Sequence, residues 1–199
     1  MPGGQLSAAI RPTKLELGYG ILIIRIGDYD GSSPLDPLAK SLLHYCRVIL
    51  PGDDTRLIEL RTLEELDMLW KRDHAAYHQV VLVSHGDKDC IVFGDKDVSA
   101  ADLAKVLDAH TTTPKEFIGL GCNTGHANFA REFSRSASVS RFIASYHTVN
   151  SCTASLFAQT YFHERLIAVH TPNVSFKNAR TALYSAASYR QWIDGALSI

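Results

Sequence analysis

Two short segments hold the residue types that nucleophilic catalysis requires. Ser84-His85-Gly86-Asp87 follows the apolar run Gln79 to Val83, and Gly121-Cys122-Asn123-Thr124-Gly125 follows Glu116 to Leu120. With a free pKa near 8.5, only about 3% of a thiol is thiolate at neutral pH. An imidazole beside it takes the proton, or stands as a cation next to the sulfur. The N–H groups of Gly86 and Cys122 would hold a developing oxyanion. Gly86 and Gly121, without side chains, would admit a substrate backbone. The loop after Cys122 leads into a helix whose amino end favours a negative sulfur. This is the equipment of acyl transfer, provided the two apolar runs are neighbouring strands, about 4.8 Å apart.

Plainer roles compete for each residue. A cysteine beside a strand is commonly a small buried hydrophobe, and a lone histidine is commonly structural. What marks His85 and Cys122 is that each closes a strong strand next to glycine. His126 is near enough in sequence to rival His85 as the base, but it is expected inside the following helix. Cys152 in a helix and Cys46 at the end of one read as packing residues.

The elements that must position this pair alternate along the chain. Residues 1–14 read as a loose arm, and 15–199 as one domain. Ile21 to Ile26 is a β-branched run without strict alternation, the pattern of a strand covered on both faces. Pro34 to Tyr45 has helical spacing of leucines. Arg47 to Leu50 is a short strand candidate, and Arg56 to Leu60 another. Thr62 to Arg72 is a helix with Thr62 and Glu65 in capping-box spacing. Gln79 to Ser84 is a buried strand, Cys90 to Asp95 a small hairpin, and Ser99 to His110 an amphipathic helix. Glu116 to Leu120 and Arg141 to Ser145 are strands, with a helix from His126 to Ser134 between them. Helices are expected over Cys152 to Leu166, Val174 to Ser188 and Tyr189 to Leu197. Strand–helix alternation implies an α/β domain, a mostly parallel sheet with helices on both faces. Chemistry in such sheets sits at the carboxyl ends of the strands.

Composition narrows the function classes. Of 199 residues, 46% are hydrophobic and 21% charged, which is ordinary for a globular chain and excludes a disordered one. Lys plus Arg is 20 against 21 for Asp plus Glu, so neither a nucleic-acid binder nor a protein drawn to anionic lipid is expected. No apolar run approaches the roughly 20 residues of a membrane span. Met1-Pro2-Gly3-Gly4-Gln5 lacks the basic start of a secretory signal, so a cytoplasmic protein is expected. The four cysteines form no CxxC pair, and neither a metal nor another cofactor is called for.

Taken in order, these segments resemble caspase-like cysteine peptidases. Ser84-His85-Gly86-Asp87, Ile91 to Asp95 and Val98 to Leu103 are similar to the group's histidine segment: a strand ending in His-Gly, a hairpin, and a helix opening with small and acidic residues. Phe117 to Gly125 resembles the strand that ends in the nucleophilic cysteine. Phe142 to Tyr146, Ala154, Phe157 and Phe176 to Arg180 look like the C-terminal half of bacterial CHAT domains. The resemblance spans roughly 18–188 and implies a three-layer caspase-like sandwich. It implies Cys122 as nucleophile, His85 as base or ion-pair partner, and the Gly86 N–H in the oxyanion hole. The substrate is then a protein or peptide, and a bacterial defence or cell-death setting follows from CHAT domains alone.

The chain also departs from that pattern. Leu120 stands where caspases have Gln and metacaspases Asp. Asp28 and Asp30 occupy the loop after the first strand, where an acidic pocket would favour Arg or Lys in the substrate; both are also good turn residues. Ser145 and Tyr146 would flank the same pocket, or else serve as core and cap. A free peptidase is hazardous to its cell, so control by a partner protein or by ordering of active-site loops is expected.

Rival readings are weaker. Gly119 to Gly125 also reads as GxGxxxG, but the next strand ends without an acid to hold a ribose. A phosphatase loop needs Arg where Asn128 stands, and GxSxG is absent. From another class, a catalytically silent caspase-like scaffold remains the alternative.

Overall fold

The computed structural model describes residues 20–27 and 34–198. The expected arm at 1–14, and Asp28 and Asp30, lie outside the described residues. Among the described residues, nine strands and six α-helices follow the expected alternation. The strands are β1 (Ile21–Ile26), β2 (Thr55–Leu60), β3 (Gln79–Val83), β4 (Cys90–Phe93), β5 (Lys96–Ser99), β6 (Lys115–Gly119), β7 (Val139–Ser145), β8 (Tyr189–Ile193) and β9 (Ala196–Leu197). The helices are α1 (Leu35–Ile49), α2 (Leu63–Asp73), α3 (Ala100–Asp108), α4 (Ala127–Phe133), α5 (Ser151–Phe162) and α6 (Pro172–Ala182).

Seven strands form one sheet in the order β2-β1-β3-β6-β7-β8-β9, and β4 and β5 form a separate hairpin. The pairs from β2 through β7 are parallel, while β8 and β9 join antiparallel. Successive side chains of a strand face opposite sides, and here both sides are covered. Leu22, Ile24, Val80, Leu82 and Phe117 pack with α2, α3 and α4. Ile21, Ile23, Val81, Val83, Ile118 and Leu120 pack with α1, α5 and α6. Covering both faces removes any need for polar alternation, which is why the strands read as continuous apolar runs.

Two expectations fail, each for a local reason. Arg47 to Leu50 is not a strand; α1 runs on to Ile49. Its buried positions Leu35, Leu38, Ala39, Leu42 and Cys46 keep helical phase to the end, and Val48 is 84% exposed where a buried strand would hide it. Tyr189 to Leu197 is not a helix but the hairpin of β8 and β9. Asp194 and Gly195 have φ of 48° and 72°, the left-handed pair that a two-residue hairpin turn requires. Tyr189 and Trp192 pack on opposite faces of the sheet, as strand alternation demands.

Helix ends follow the sequence more closely. Thr62 and Glu65 form the expected capping box of α2. Asn150 caps α5, its side-chain oxygen accepting from the Thr153 N–H at 2.8 Å. The α5 helix continues into a π-helical turn, His163–Ile167.

Candidate active site

β3 and β6 are adjacent and parallel, with Leu82 abreast of Gly119. His85 and Cys122 each follow that last pair by three residues, in the loops beyond the two strands. Val81 and Val83 before His85, and Ile118 and Leu120 before Cys122, pack on the side of α1, α5 and α6. The two loops touch where glycine permits it. A Cβ on Gly86 would lie 2.5 Å from Thr124 Cγ2 and 3.3 Å from the Cys122 carbonyl oxygen. One on Gly121 would lie 3.2 Å from Ser84 Oγ. These glycines were expected to admit a substrate; they first admit each other's loops.

Each loop is tied down. The histidine loop is laced to the β4–β5 hairpin through Val92 N–H to the His85 oxygen, 3.1 Å, and Asp87 N–H to the Cys90 oxygen, 2.9 Å. The cysteine loop turns at Asn123, φ 60°, with Thr124 Oγ1 donating to the Gly121 oxygen at 3.0 Å. Gly125 N–H donates to the Ser145 oxygen at 2.8 Å, and Trp192 Nε1 donates to the Gly125 oxygen at 3.1 Å. Asn128 Nδ2, donating to Asp89 Oδ1 at 2.6 Å, joins the two loops.

His85 is exposed and Cys122 half-buried. Neither the Gly86 nor the Cys122 N–H donates to another group among the described residues, as an oxyanion hole would need. The thiol donates to the Val149 oxygen at 3.7 Å. Val149 immediately precedes the Asn150 cap, so the helix that begins beside the sulfur is α5. The expected donor of that field, α4, starts only at Ala127. The other thiols are placed differently. Burial pushes Cys46 up to about 12, which makes it inert. Cys152 is exposed on α5 and not the packing residue expected.

His126 does not lie inside the next helix; it stands at the N-cap position of α4 without a side-chain capping bond. Its ring stacks on Tyr146, centroids 3.8 Å apart, and His147 meets the same tyrosine edge-on at 5.0 Å. The Arg190 guanidinium lies 5.7 Å over the Tyr146 ring. Burial and the nearby charge of Arg180 pull the Arg190 pKa down. Tyr146 is thus the centre of a half-buried cationic rim. Ser145 is fully buried, bonded to the His147 oxygen at 2.7 Å and to Ser188 Oγ at 2.9 Å. It supports that rim from beneath.

No protein-family model and no curated protein matches this chain. Solved structures do. The X-ray structure of a secreted C11 cysteine protease from Bacteroides thetaiotaomicron, iotapain, matches over 87% of this chain with a TM-score of 0.60 and 11% identity. The fold is caspase-like. This chain spans 65% of that longer protein's length. The structure of pro-sf-caspase-1 matches over 76% of this chain and 70% of its own, with a TM-score of 0.48 and 16% identity.

The caspase-like sheet also positions a residue that sequence reasoning missed. Tyr189, at the start of β8, is fully buried, and burial first and then the charge of Cys122 raise its pKa. The Asp-Gly pair at 194–195, a strong hairpin signal, would have revealed the strand that carries it. A groove of about 600 Å³ between α2 and α3 contains none of these residues. Among the described residues no helix is long and apolar enough to cross a membrane, and no three His, Cys, Asp or Glu side chains gather as a metal site.

Proposed function

We propose that this chain is a cysteine endopeptidase with Cys122 as nucleophile and His85 as its proton carrier. The observation that supports it most is the parallel β3–β6 pairing, whose last pair, Leu82 and Gly119, stands three residues before each of them at the carboxyl edge of the sheet. His85 takes the thiol proton, and Sγ bonds to the substrate carbonyl carbon. The carbonyl π pair moves to oxygen, where the Gly86 and Cys122 N–H groups receive it. The C–N bond breaks as the imidazolium gives its proton to the departing amine. Water, deprotonated by His85, then attacks the thioester and frees the sulfur. The C11 protein of similar fold is itself a cysteine protease, the same reaction class.

The finer assignments extend this reading. Preference for a basic residue before the cut rests on Asp28 and Asp30. Arg190 over Tyr146 would repel a basic side chain at its side of the rim, so the basic residue would be held on the β1 side. Tyr146 forms the opposite wall, and Ser145, expected there too, is buried beneath it. Control by a partner protein and a cytoplasmic setting belong to the same proposal, as does a role in bacterial defence or cell death, which rests on the CHAT resemblance alone.

Turnover of peptides with Arg, Lys, Asp or Ala before the cut tests it. Wild type is expected to cleave the basic peptides. Cys122→Ala and His85→Ala are expected to keep the fold and lose turnover by at least about a thousandfold, as removal of members of a catalytic unit does. Undiminished cleavage by Cys122→Ala would end the proposal. Cleavage without basic preference would remove the role given to Asp28 and Asp30.

A further inference from the structure

Two guanidinium groups meet at the β8 end of the rim with no carboxylate between them. Arg190 Nη1 donates to the Ala187 oxygen at 2.7 Å and to the Tyr189 oxygen at 3.0 Å. Arg180 Nε, from α6, donates to the same Ala187 oxygen at 3.3 Å. One carbonyl thus holds two cations side by side. Neither arginine forms an ion pair with Asp or Glu among the described residues. Burial, and then the charge of Arg180, lower the pKa of Arg190. A guanidinium carries its N–H donors in a planar fork that matches a carboxylate. Each of these two uses a single nitrogen, and only on backbone carbonyls, so the rest of each fork is left for a ligand.

The pair is held at the same edge as the candidate nucleophile. Tyr146 N–H donates to the Ser188 oxygen at 2.9 Å, which fixes the turn Tyr184–Ser188 that presents the Ala187 carbonyl. The loop after β7 touches both groups. Tyr146, its first residue, lies 5.7 Å from the Arg190 guanidinium, and Val149, three residues on, accepts from the Cys122 thiol. In the sheet β8 is two strands from β6, which leads to that thiol. Two strand spacings are about 10 Å, and an extended peptide advances about 3.3 Å per residue. A side chain roughly two to four residues from the attacked carbonyl therefore reaches the arginines.

We propose that Arg190 and Arg180 form a carboxylate subsite that binds an Asp or Glu side chain of the substrate, roughly two to four residues from the cut. The assignment rests on reading Cys122 as the nucleophile of a peptidase. It names a second feature of the substrate, apart from the residue held on the β1 side.

The probes are peptides with one Arg in a run of Ala and a Glu two, three or four residues to either side of it, each with a Gln counterpart. Acetylated and amidated ends leave the Glu side chain as the sole carboxylate. Binding is measured to Cys122→Ala, which keeps the peptides intact, by anisotropy of an uncharged fluorophore, and cleavage is measured with the wild-type chain. At the best position Glu is expected to bind at least about tenfold more tightly than Gln, the scale of a bond to a charged group. It is expected to lower KM by a similar factor with kcat within about twofold, as uniform binding does. Arg190→Gln, and separately Arg180→Gln, which leaves β8 untouched, are expected to shrink the Glu-to-Gln ratio to about threefold or less. Thermal melts on the same samples show that each variant is folded. Equal binding of Glu and Gln peptides at every position would overturn the proposal, as would a Glu preference that survives in both arginine variants. A Glu preference that is lost with the arginines, in a chain that cleaves none of the peptides, would defeat the peptidase reading and leave the carboxylate subsite standing.

Discussion

A single methyl group at Gly86 probes how tightly the loops carrying His85 and Cys122 are held. Thr124, against which that methyl would press, is fully buried, so neither loop can yield outward cheaply. Gly86→Ala is expected to lower turnover at least about tenfold, because small displacements of reacting groups are costly. Thr124→Ser deletes the obstructing Cγ2 and keeps the hydroxyl bond to Gly121. The double variant Gly86→Ala with Thr124→Ser should therefore recover much of the loss, a coupling that a double-mutant cycle reads directly. Strict additivity of the two effects would show that the loops do not meet as described. At this scale the sequence was informative about residue types and silent about partners. His85, Gly86 and Cys122 stand out because strand, glycine and chemistry coincide. Tyr189 does not, because its place depends on an antiparallel strand that pairs residue 189 with Ser145.

Among the elements, α5 does more for the site than the nearer α4. Val149, the residue just before its cap, is the resting partner of the sulfur, and Asn150 caps it. Asn150→Ala is expected to cost about 1 kcal/mol, the usual value of an N-cap, and to change the alkylation rate of Cys122. Thr62→Ala removes the capping box of α2, costs about as much, and touches nothing near the sulfur. Equal reactivity in the two variants would show that α5 does not govern the thiol. The parallel strands were legible because burial on both faces leaves uninterrupted apolar runs. The β8–β9 hairpin was obscured because Arg190 and Gln191 stand between Tyr189 and Trp192, so no apolar run marks the strand. The Arg47 to Leu50 error has the converse cause: apolar residues at 48 and 49 look like a strand unless the helical phase from Leu35 is followed through Cys46.

Seen across the whole molecule, β6 links the site to a buried polar junction at its other end. Glu116 accepts from Gln79 Nε2 at 3.2 Å, from the Tyr161 hydroxyl at 3.1 Å and from Arg165 Nη2 at 3.1 Å. Lys115 is buried beside it, and burial lowers its pKa. His78 is half-buried against this group. Burial depresses its pKa first, Lys115 and Arg165 push the same way, and Glu116 opposes them. Unfolded, this histidine titrates near about 6.5. Between that value and the lower folded pKa, the unfolded chain binds more protons than the folded one. Stability therefore falls as pH drops through about 6.5 and levels off below the folded pKa. The lowered carboxyl groups of Asp73, Asp108 and Glu164 add their own loss only further down, below the ordinary carboxylate range. Urea midpoints at pH 7.5 and 5.5 should differ less in His78→Gln than in wild type. An unchanged difference would move the acid sensitivity to other groups.

The central claim is that His85 raises the reactivity of Cys122 across the β3–β6 seam. The most direct measurement is the rate at which a peptidyl acyloxymethyl ketone carrying Arg modifies each cysteine of the native chain at neutral pH, resolved by mass spectrometry in wild type and His85→Ala. The adduct should appear on Cys122 in preference to the exposed Cys152, and its rate should fall by about a hundredfold or more in His85→Ala, the scale of a lost general base. Labelling that favours Cys152, or a Cys122 rate indifferent to His85, would contradict the account.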